Sequence, residues 1–214
     1  MRNKRIIIFA AALIAAVVFF ACGEKTEEPA IEETVIEELE AGARLDGKKV
    51  AILIAEGFHD RETLDPKNFL EDLGAEVVIL GPAEGDVKAC NSEQFVTMEM
   101  AVEDAEVAEF DALILPGGEG PTVLREHEPA VEFAGAFLES GKPVAAICHG
   151  AQTLITAGVI EGRRMTCVSS VASEVEEAGG LYLDQQVVVD ENLITSRVPD
   201  DLPAFNEAIR NALK

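Results

Sequence analysis

Four short apolar runs constrain the fold of this chain more than any other feature. They are KVAILIAE, EVVILGP, FDALILPGG and PVAAIC, at residues 49–56, 76–82, 110–118 and 143–148. Strands this apolar are buried on both faces, and helical patterns separate them, which favours a parallel sheet with right-handed crossovers. We therefore predict a three-layer α/β domain of the flavodoxin-like kind over residues 45–214.

Two further segments read as antiparallel hairpins. Residues 87–100 (VKACNSEQFVTMEM) show partial polar alternation and are expected as an exposed hairpin at the sheet edge. Residues 182–190 and 192–198, joined at Glu191, predict another hairpin before a last helix. The predicted sheet is therefore mostly parallel, with an antiparallel edge.

The N-terminus has the pattern of an export signal. Residues 1–21 begin with basic residues and continue as an apolar run that ends just before Cys22. The segment resembles a bacterial lipoprotein signal, which implies lipid attachment at Cys22 and a cell-envelope lipoprotein. An uncleaved membrane anchor is the alternative. The acidic stretch at 22–44 predicts a flexible tether.

Charge and cysteine content exclude several partners. The net charge of −23 repels nucleic acid and anionic lipid surfaces, so membrane contact is expected only through the lipid anchor. Cys90, Cys148 and Cys167 remain after Cys22, and an odd count leaves at least one free thiol. We expect Cys90 and Cys167 to be half-buried strand residues. No cysteine or histidine spacing indicates a metal site.

Cys148 stands where an apolar strand turns directly into a helical segment. Such a junction is a strained elbow that exposes its residue above the sheet, and the helix N-terminus favours thiolate over thiol. The pattern therefore favours a reactive, exposed thiol of low pKa. A buried structural cysteine is the alternative.

Two other strands end in polar or glycine-rich segments that should meet Cys148 at the carboxyl edge of the sheet. Gly117 and Gly118 follow one of them, and glycines there allow backbone amides to approach a developing oxyanion. The loop after the first strand, AEGFHDRETLDP, holds His59 and several acids, among them Glu62. The pattern alone leaves the partner of Cys148 open among these acids.

The stretches DALILPGG, GKPVAAICHGAQTLITAGVIEGR and ITSRVPDDL resemble the DJ-1/PfpI family, and the PfpI branch most closely. The resemblance implies that Cys148 is the nucleophilic, oxidation-sensitive cysteine. It implies that Glu62 is the carboxylic acid beside that cysteine. The amides of Gly118 and His149 would be the oxyanion donors, and the His149 side chain the base.

The chain departs from the family pattern at two positions. One is the third member of the Cys-His-Glu triad, and the other lies in the pocket. Thr122 stands where the protease-like members have a Glu that a neighbouring subunit contributes, and Glu119 is near enough in sequence to substitute. Ser169 aligns with a His or Tyr of many relatives and is expected in the pocket. Arg197 could orient an anionic substrate, or it could pair with the many carboxylates of an acidic domain.

The resemblance implies a cysteine-dependent enzyme without cofactor or metal, of glyoxalase, deglycase or peptidase type. Its substrate would be a small carbonyl compound or a peptide, and the missing acid at Thr122 favours the carbonyl compound. The alternative is a non-enzymatic redox sensor in which Cys148 is oxidised. A homodimer or larger homo-oligomer is also implied.

Overall fold

A computed structural model of the protein describes residues 44–214. The predicted signal at 1–21, the lipid site at Cys22 and the tether as far as residue 43 lie outside the described residues. Eleven strands occur in the described part of the chain: β1 Lys49–Leu53, β2 Glu76–Gly81, β3 Gly85–Lys88, β4 Phe95–Met98, β5 Met100–Ala101, β6 Ala112–Leu115, β7 Val144–Ile147, β8 Arg164–Met165, β9 Leu181–Tyr182, β10 Val187–Asp190 and β11 Leu193–Ser196.

Six α-helices accompany these strands, and none of those described is long and apolar enough to cross a lipid bilayer. They are α1 Asp60–Asp72, α2 Gly120–Leu124, α3 Glu128–Glu139, α4 Ala151–Ala157, α5 Ala172–Glu177 and α6 Leu202–Leu213.

Seven of the strands form one sheet in the order β10-β11-β7-β6-β1-β2-β5. Every neighbouring pair is parallel except the β10–β11 hairpin at one edge. The predicted mostly parallel α/β fold is therefore confirmed, and the hairpin turns at Glu191 as expected.

The other predicted hairpin is placed differently from the expectation. β3 and β4 pair antiparallel, but they form a separate two-stranded sheet. Only the end of the segment, from Met100, joins the main sheet as its edge strand β5. The predicted exposed hairpin is therefore confirmed, but its placement at the edge of the main sheet was wrong. Polar alternation indicates a solvent-exposed ladder without specifying which sheet it joins.

Alternate residues of β1 pack into two different cores. Ala51 and Leu53 face a cluster that includes Phe137 of α3, whereas Val50 and Ile52 face a cluster that includes Phe205 of α6. Successive strand residues point to opposite faces, so a strand that is apolar at every position needs helices on both sides. This two-sided burial produces the three layers.

The segments that follow β1, β6 and β7 lie side by side, because these three strands are parallel neighbours. Gly150 allows the turn after β7 to pack against the end of β6. A Cβ atom at this position would overlap the carbonyl oxygen of Leu115. Its φ of −56° is an ordinary helical value, so glycine is needed here for space alone.

We expect Gly150→Ala to lower the free energy of unfolding by about 2 kcal/mol, because the added methyl group forces apart backbone that is already in contact. Gly135→Ala, in the interior of α3, is the matched control, since its Cβ would meet its nearest neighbour at 3.3 Å. Urea unfolding followed by circular dichroism measures both. Equal stability of the two variants would contradict the packing argument.

Candidate active site

Backbone hydrogen bonds join the loop after β1 to the turn after β6. The His59 amide donates to the Gly117 carbonyl oxygen at 3.1 Å, and Phe58 forms an isolated bridge with Gly118. Gly118 has a φ of 86°, and a Cβ there would lie 2.6 Å from the Gly57 carbonyl oxygen and from the His59 amide nitrogen. Glycine at 118 thus meets both a backbone and a packing requirement.

Cys148 begins the short 3-10 turn Cys148–Gly150, which connects β7 directly to α4. Its φ of 59° lies in the left-handed region, which is uncommon for a residue with a side chain. The strained elbow expected from the sequence is therefore present. The expected exposure is not, since Cys148 is only 8% exposed.

Gly117 covers Cys148 on the side of β6, which explains the burial. A Cβ atom at Gly117 would lie 2.6 Å from Glu62 Oε2, 2.8 Å from Cys148 Cβ and 2.9 Å from the His149 amide nitrogen. The turn after β6 is thus pressed into the space between the acid and the cysteine. Because Gly117 has no side chain, the turn can approach Glu62 and Cys148 closely, and its amide N–H points to the Glu62 carboxyl group.

Glu62 lies in the first turn of α1 with its side chain fully buried. Its Oε2 accepts a hydrogen bond of 2.8 Å from the Gly117 amide, whereas Oε1 has no hydrogen-bond partner. Burial raises the pKa of Glu62 to about 7, against the opposing effects of the Gly117 amide and the Cys148 thiol. The carboxyl group is therefore partly protonated near neutral pH.

The thiol of Cys148 also holds its proton. Burial raises its pKa to about 12, the negative charge of ionised Glu62 adds to the rise, and the amides of His149 and Gly118 oppose it. The direction of this shift is opposite to the lowering expected from the helix N-terminus, because desolvation outweighs what the two amides contribute. A nucleophilic Cys148 therefore needs a base.

His149 supplies the nearest ring nitrogen. The elbow turns its half-buried side chain back over Cys148, so that Nδ1 lies 3.3 Å from Sγ. Its Nε2 lies 3.4 Å from the hydroxyl oxygen of Ser170. Within residues 44–214 of this single chain, no carboxylate forms a hydrogen bond or ion pair with this ring.

Glu119 and Thr122 lie instead along an open groove of about 780 Å³, together with the side chain of the exposed Cys90. Cys167 is fully buried, and the three cysteines of the described region are free. The expectation of half-buried strand positions for Cys90 and Cys167 was therefore wrong. One lies in a bend and the other in an irregular segment after β8.

The two remaining expected pocket residues lie apart from the thiol's contacts. Ser169 is exposed and forms no side-chain hydrogen bond in the described structure, and its neighbour Ser170 reaches His149 instead. Arg197 donates to Asp201 at 2.9 Å and to Asp184 at 2.7 Å. Arg197 thus has carboxylate partners of the kind expected in an acidic domain, and its role in orienting a substrate stays a prediction.

No group of three or more His, Cys, Asp or Glu side chains that could hold a metal ion occurs in the described part of the chain. Proton transfer and nucleophilic attack are among the reactions that the thiol, imidazole and carboxyl groups of this site support. At the end of β7, the thiol of Cys148 contacts the imidazole of His149 and the amides of His149 and Gly118.

The DJ-1/PfpI family model matches residues 48–212. This chain belongs to the DJ-1/PfpI family. It is 47% identical over 166 residues to "Protein/nucleic acid deglycase 2" of Escherichia coli, a match that covers 76% of this chain and 96% of the relative. It is 40% identical over 167 residues to "Putative cysteine protease YraA" of Bacillus subtilis, covering 78% and 99%. A deglycase of Thermococcus kodakarensis is 41% identical over 157 residues, covering 73% and 94%.

Solved structures of DJ-1/PfpI proteins share the fold. A two-domain protein of Anabaena variabilis with DJ-1/ThiJ/PfpI-like and ferritin-like domains has a TM-score of 0.76 at 40% identity. That match covers 78% of this chain and 50% of the other. Drosophila melanogaster DJ-1beta has a TM-score of 0.72 at 26% identity, covering 78% and 90%.

The raised pKa of Glu62 links the stability of this DJ-1/PfpI domain to pH. Between the unfolded value of 4.5 and the folded value of about 7, the folded chain binds the proton more tightly. The stabilisation is therefore complete below pH 4.5 and lost as the pH rises to about 7. The corresponding change in the free energy of unfolding is about 3 kcal/mol.

We expect Glu62→Gln to remove this contribution, so that the variant gains stability relative to wild type as the pH rises through that window. Urea unfolding at both ends of the window measures the difference. Glu139→Gln, at the exposed end of α3, is the control and should follow the wild-type curve. If the curves of Glu62→Gln and wild type stay parallel, the Glu62 carboxyl group is not the source.

Proposed function

We propose that this chain is a cysteine-dependent enzyme acting on small reactive carbonyl compounds, with Cys148 as nucleophile. The observation that carries the proposal is the 3.3 Å distance between Cys148 Sγ and His149 Nδ1, at a strained strand-to-helix elbow. The names of the relatives, two deglycases and one cysteine protease-like protein, support enzymatic activity in general. Compounds such as methylglyoxal, or their adducts on proteins, are the proposed substrates.

The raised pKa of the thiol defines the first step. Sγ attacks the carbonyl carbon while His149 Nδ1 takes the thiol proton, so no free thiolate has to form in the buried site. The carbonyl π electrons move to oxygen, where the amides of Gly118 and His149 stabilise the charge. Return of the proton to that oxygen completes a hemithioacetal on Cys148.

For methylglyoxal, the remaining steps rearrange the substrate internally. The hydrogen of the former aldehyde carbon leaves as a proton while the neighbouring ketone oxygen gains a proton, which gives an enediol. A proton is then added to the carbon that bore the ketone, and the hydroxyl on the former aldehyde carbon loses its proton, which leaves a lactoyl thioester on Cys148. Glu62 is suited to shuttle this proton, because its pKa is raised to about 7. Water then cleaves the thioester and regenerates the thiol, so that one substrate and one water give lactate.

Peptide hydrolysis is less well supported by the contacts of His149. An amine is a poor leaving group that must be protonated by an imidazolium ion, and a carboxylate partner stabilises that ion. The partner of the ring in this structure is a neutral hydroxyl group. Thr122 stands where the protease-like members have a Glu from a neighbouring subunit, so the same position of a partner chain would supply a hydroxyl group and not an acid.

Export, lipid attachment at Cys22 and assembly into a homodimer or larger oligomer stay predictions. Together with the proposed activity, they would place carbonyl detoxification or repair at the cell envelope. The acidic composition suits this setting, since a net charge of −23 keeps the domain away from anionic lipid surfaces.

We expect the wild-type domain to convert methylglyoxal to lactate. Cys148→Ser should reduce kcat/KM by at least about a hundredfold, because a serine hydroxyl is a much weaker nucleophile than a cysteine thiol. Enzymatic determination of lactate measures the product. Cys90→Ser is the matched control, since it removes an exposed thiol outside the site, and it should keep wild-type activity. Equal rates for Cys148→Ser and wild type would disprove the proposal.

The redox-sensor alternative makes a different prediction for peroxide. A buried thiol that keeps its proton reacts slowly, so we expect Cys90 to be oxidised before Cys148. Mass spectrometry of the Cys90 and Cys148 peptides after mild peroxide treatment measures the order. Selective early oxidation of Cys148 would instead favour the sensor.

A further inference from the structure

Ser170 contacts the candidate base from the side opposite Cys148. It lies in the short 3-10 turn Ser169–Val171, which follows β8 in the chain. The Val168 amide donates to the Cys148 carbonyl oxygen at 3.5 Å, so the start of this turn is joined to the elbow. The hydroxyl oxygen of Ser170 lies 3.4 Å from His149 Nε2.

The two contacts of the His149 ring complement each other chemically. A neutral imidazole has one nitrogen that donates and one that accepts. If Nδ1 is to take the proton of Cys148, it must carry the lone pair, so Nε2 must carry the hydrogen. A hydroxyl oxygen at Nε2 can accept that hydrogen, and it can continue to accept it when the ring becomes an imidazolium ion.

We propose that Ser170 is a positioning residue, which holds His149 in the tautomer and orientation that let Nδ1 take the proton of Cys148. This inference rests on the proposed function, because it assigns a partner to the proposed base. Ser170 would occupy the place that a carboxylate has in a Cys-His-acid triad, but without charge. It would orient the ring without itself supplying a counter-ion.

The contact with Ser170 matters because little else fixes the rotamer of the His149 side chain. The ring is half-buried, so the protein packs against only part of it, and rotation about χ1 would carry Nδ1 away from Sγ. A net hydrogen bond of ordinary strength is enough to favour one rotamer over another. In the described structure, the Ser170 hydroxyl is the hydrogen-bond partner of Nε2.

The chain offers a matched pair of variants. Ser169 and Ser170 are adjacent and exposed, and they lie in the same turn, but only Ser170 contacts the ring. Ser170→Ala removes the contact, Ser170→Thr retains a hydroxyl, and Ser169→Ala is the control. Because both positions are exposed, all three variants should unfold like the wild type.

Kinetics with methylglyoxal provides the first measurement. We expect Ser170→Ala to lower kcat about fivefold with KM unchanged, because the bond serves the proton transfer and not substrate binding. Ser170→Thr should recover most of the rate, and Ser169→Ala should equal the wild type. A loss shared by Ser169→Ala, or no loss in Ser170→Ala, would overturn the inference.

Two measurements without substrate separate this inference from the proposed function. NMR couplings across χ1 should show one rotamer of His149 in the wild type and averaging in Ser170→Ala. Alkylation of the Cys148 peptide by iodoacetamide, read by mass spectrometry so that Cys90 does not contribute, should slow about fivefold in the same variant. If the wild type makes no lactate, the proposed function fails while these measurements still decide the role of Ser170. Unchanged couplings and alkylation would refute it even in an active enzyme.

Discussion

The hydrogen bond from the Gly117 amide to Glu62 is the interaction on which the rest of the site depends. It is buried, 2.8 Å long, and joins residues 55 positions apart, so it holds the start of α1 to the turn after β6. The same glycine is in contact with Cys148 and the His149 amide, and no side chain fits among them. Acid, oxyanion donors and thiol are therefore arranged around one residue that has no side chain.

Close packing around Gly117 also decides the protonation of the site. Removal of water raises the pKa of both the Glu62 carboxyl and the Cys148 thiol, and the nearby amides offset only part of this effect. Burial of this kind disfavours the charged form of the thiol and limits its contact with solvent. Its reactivity then depends on a correctly placed base, which makes the orientation of His149 more important than the acidity of Cys148.

Much of the fold could be predicted from local pattern. The sequence correctly indicated strands β1, β6 and β7 and the β10–β11 hairpin. A strand buried on both faces is apolar at every position, and a half-buried strand alternates apolar and polar residues, so both can be recognised from sequence. The exposure of Cys148, the partners of Arg197 and the choice between Ser169 and Ser170 could not be predicted. Each depends on segments far apart in the chain, and adjacent serines have the same local pattern.

The sequence by itself determined a parallel α/β domain, the elbow at Cys148 and the three segments that meet at the carboxyl ends of the strands. The family resemblance then selected Glu62 from the acids of the first loop. Only the tertiary structure decided that Cys148 is buried, which raises its pKa, and that His149 Nδ1 faces it while Ser170 faces Nε2. The reason is that secondary structure follows from neighbouring residues, whereas solvation and hydrogen-bond partners follow from what the folded chain packs against each group.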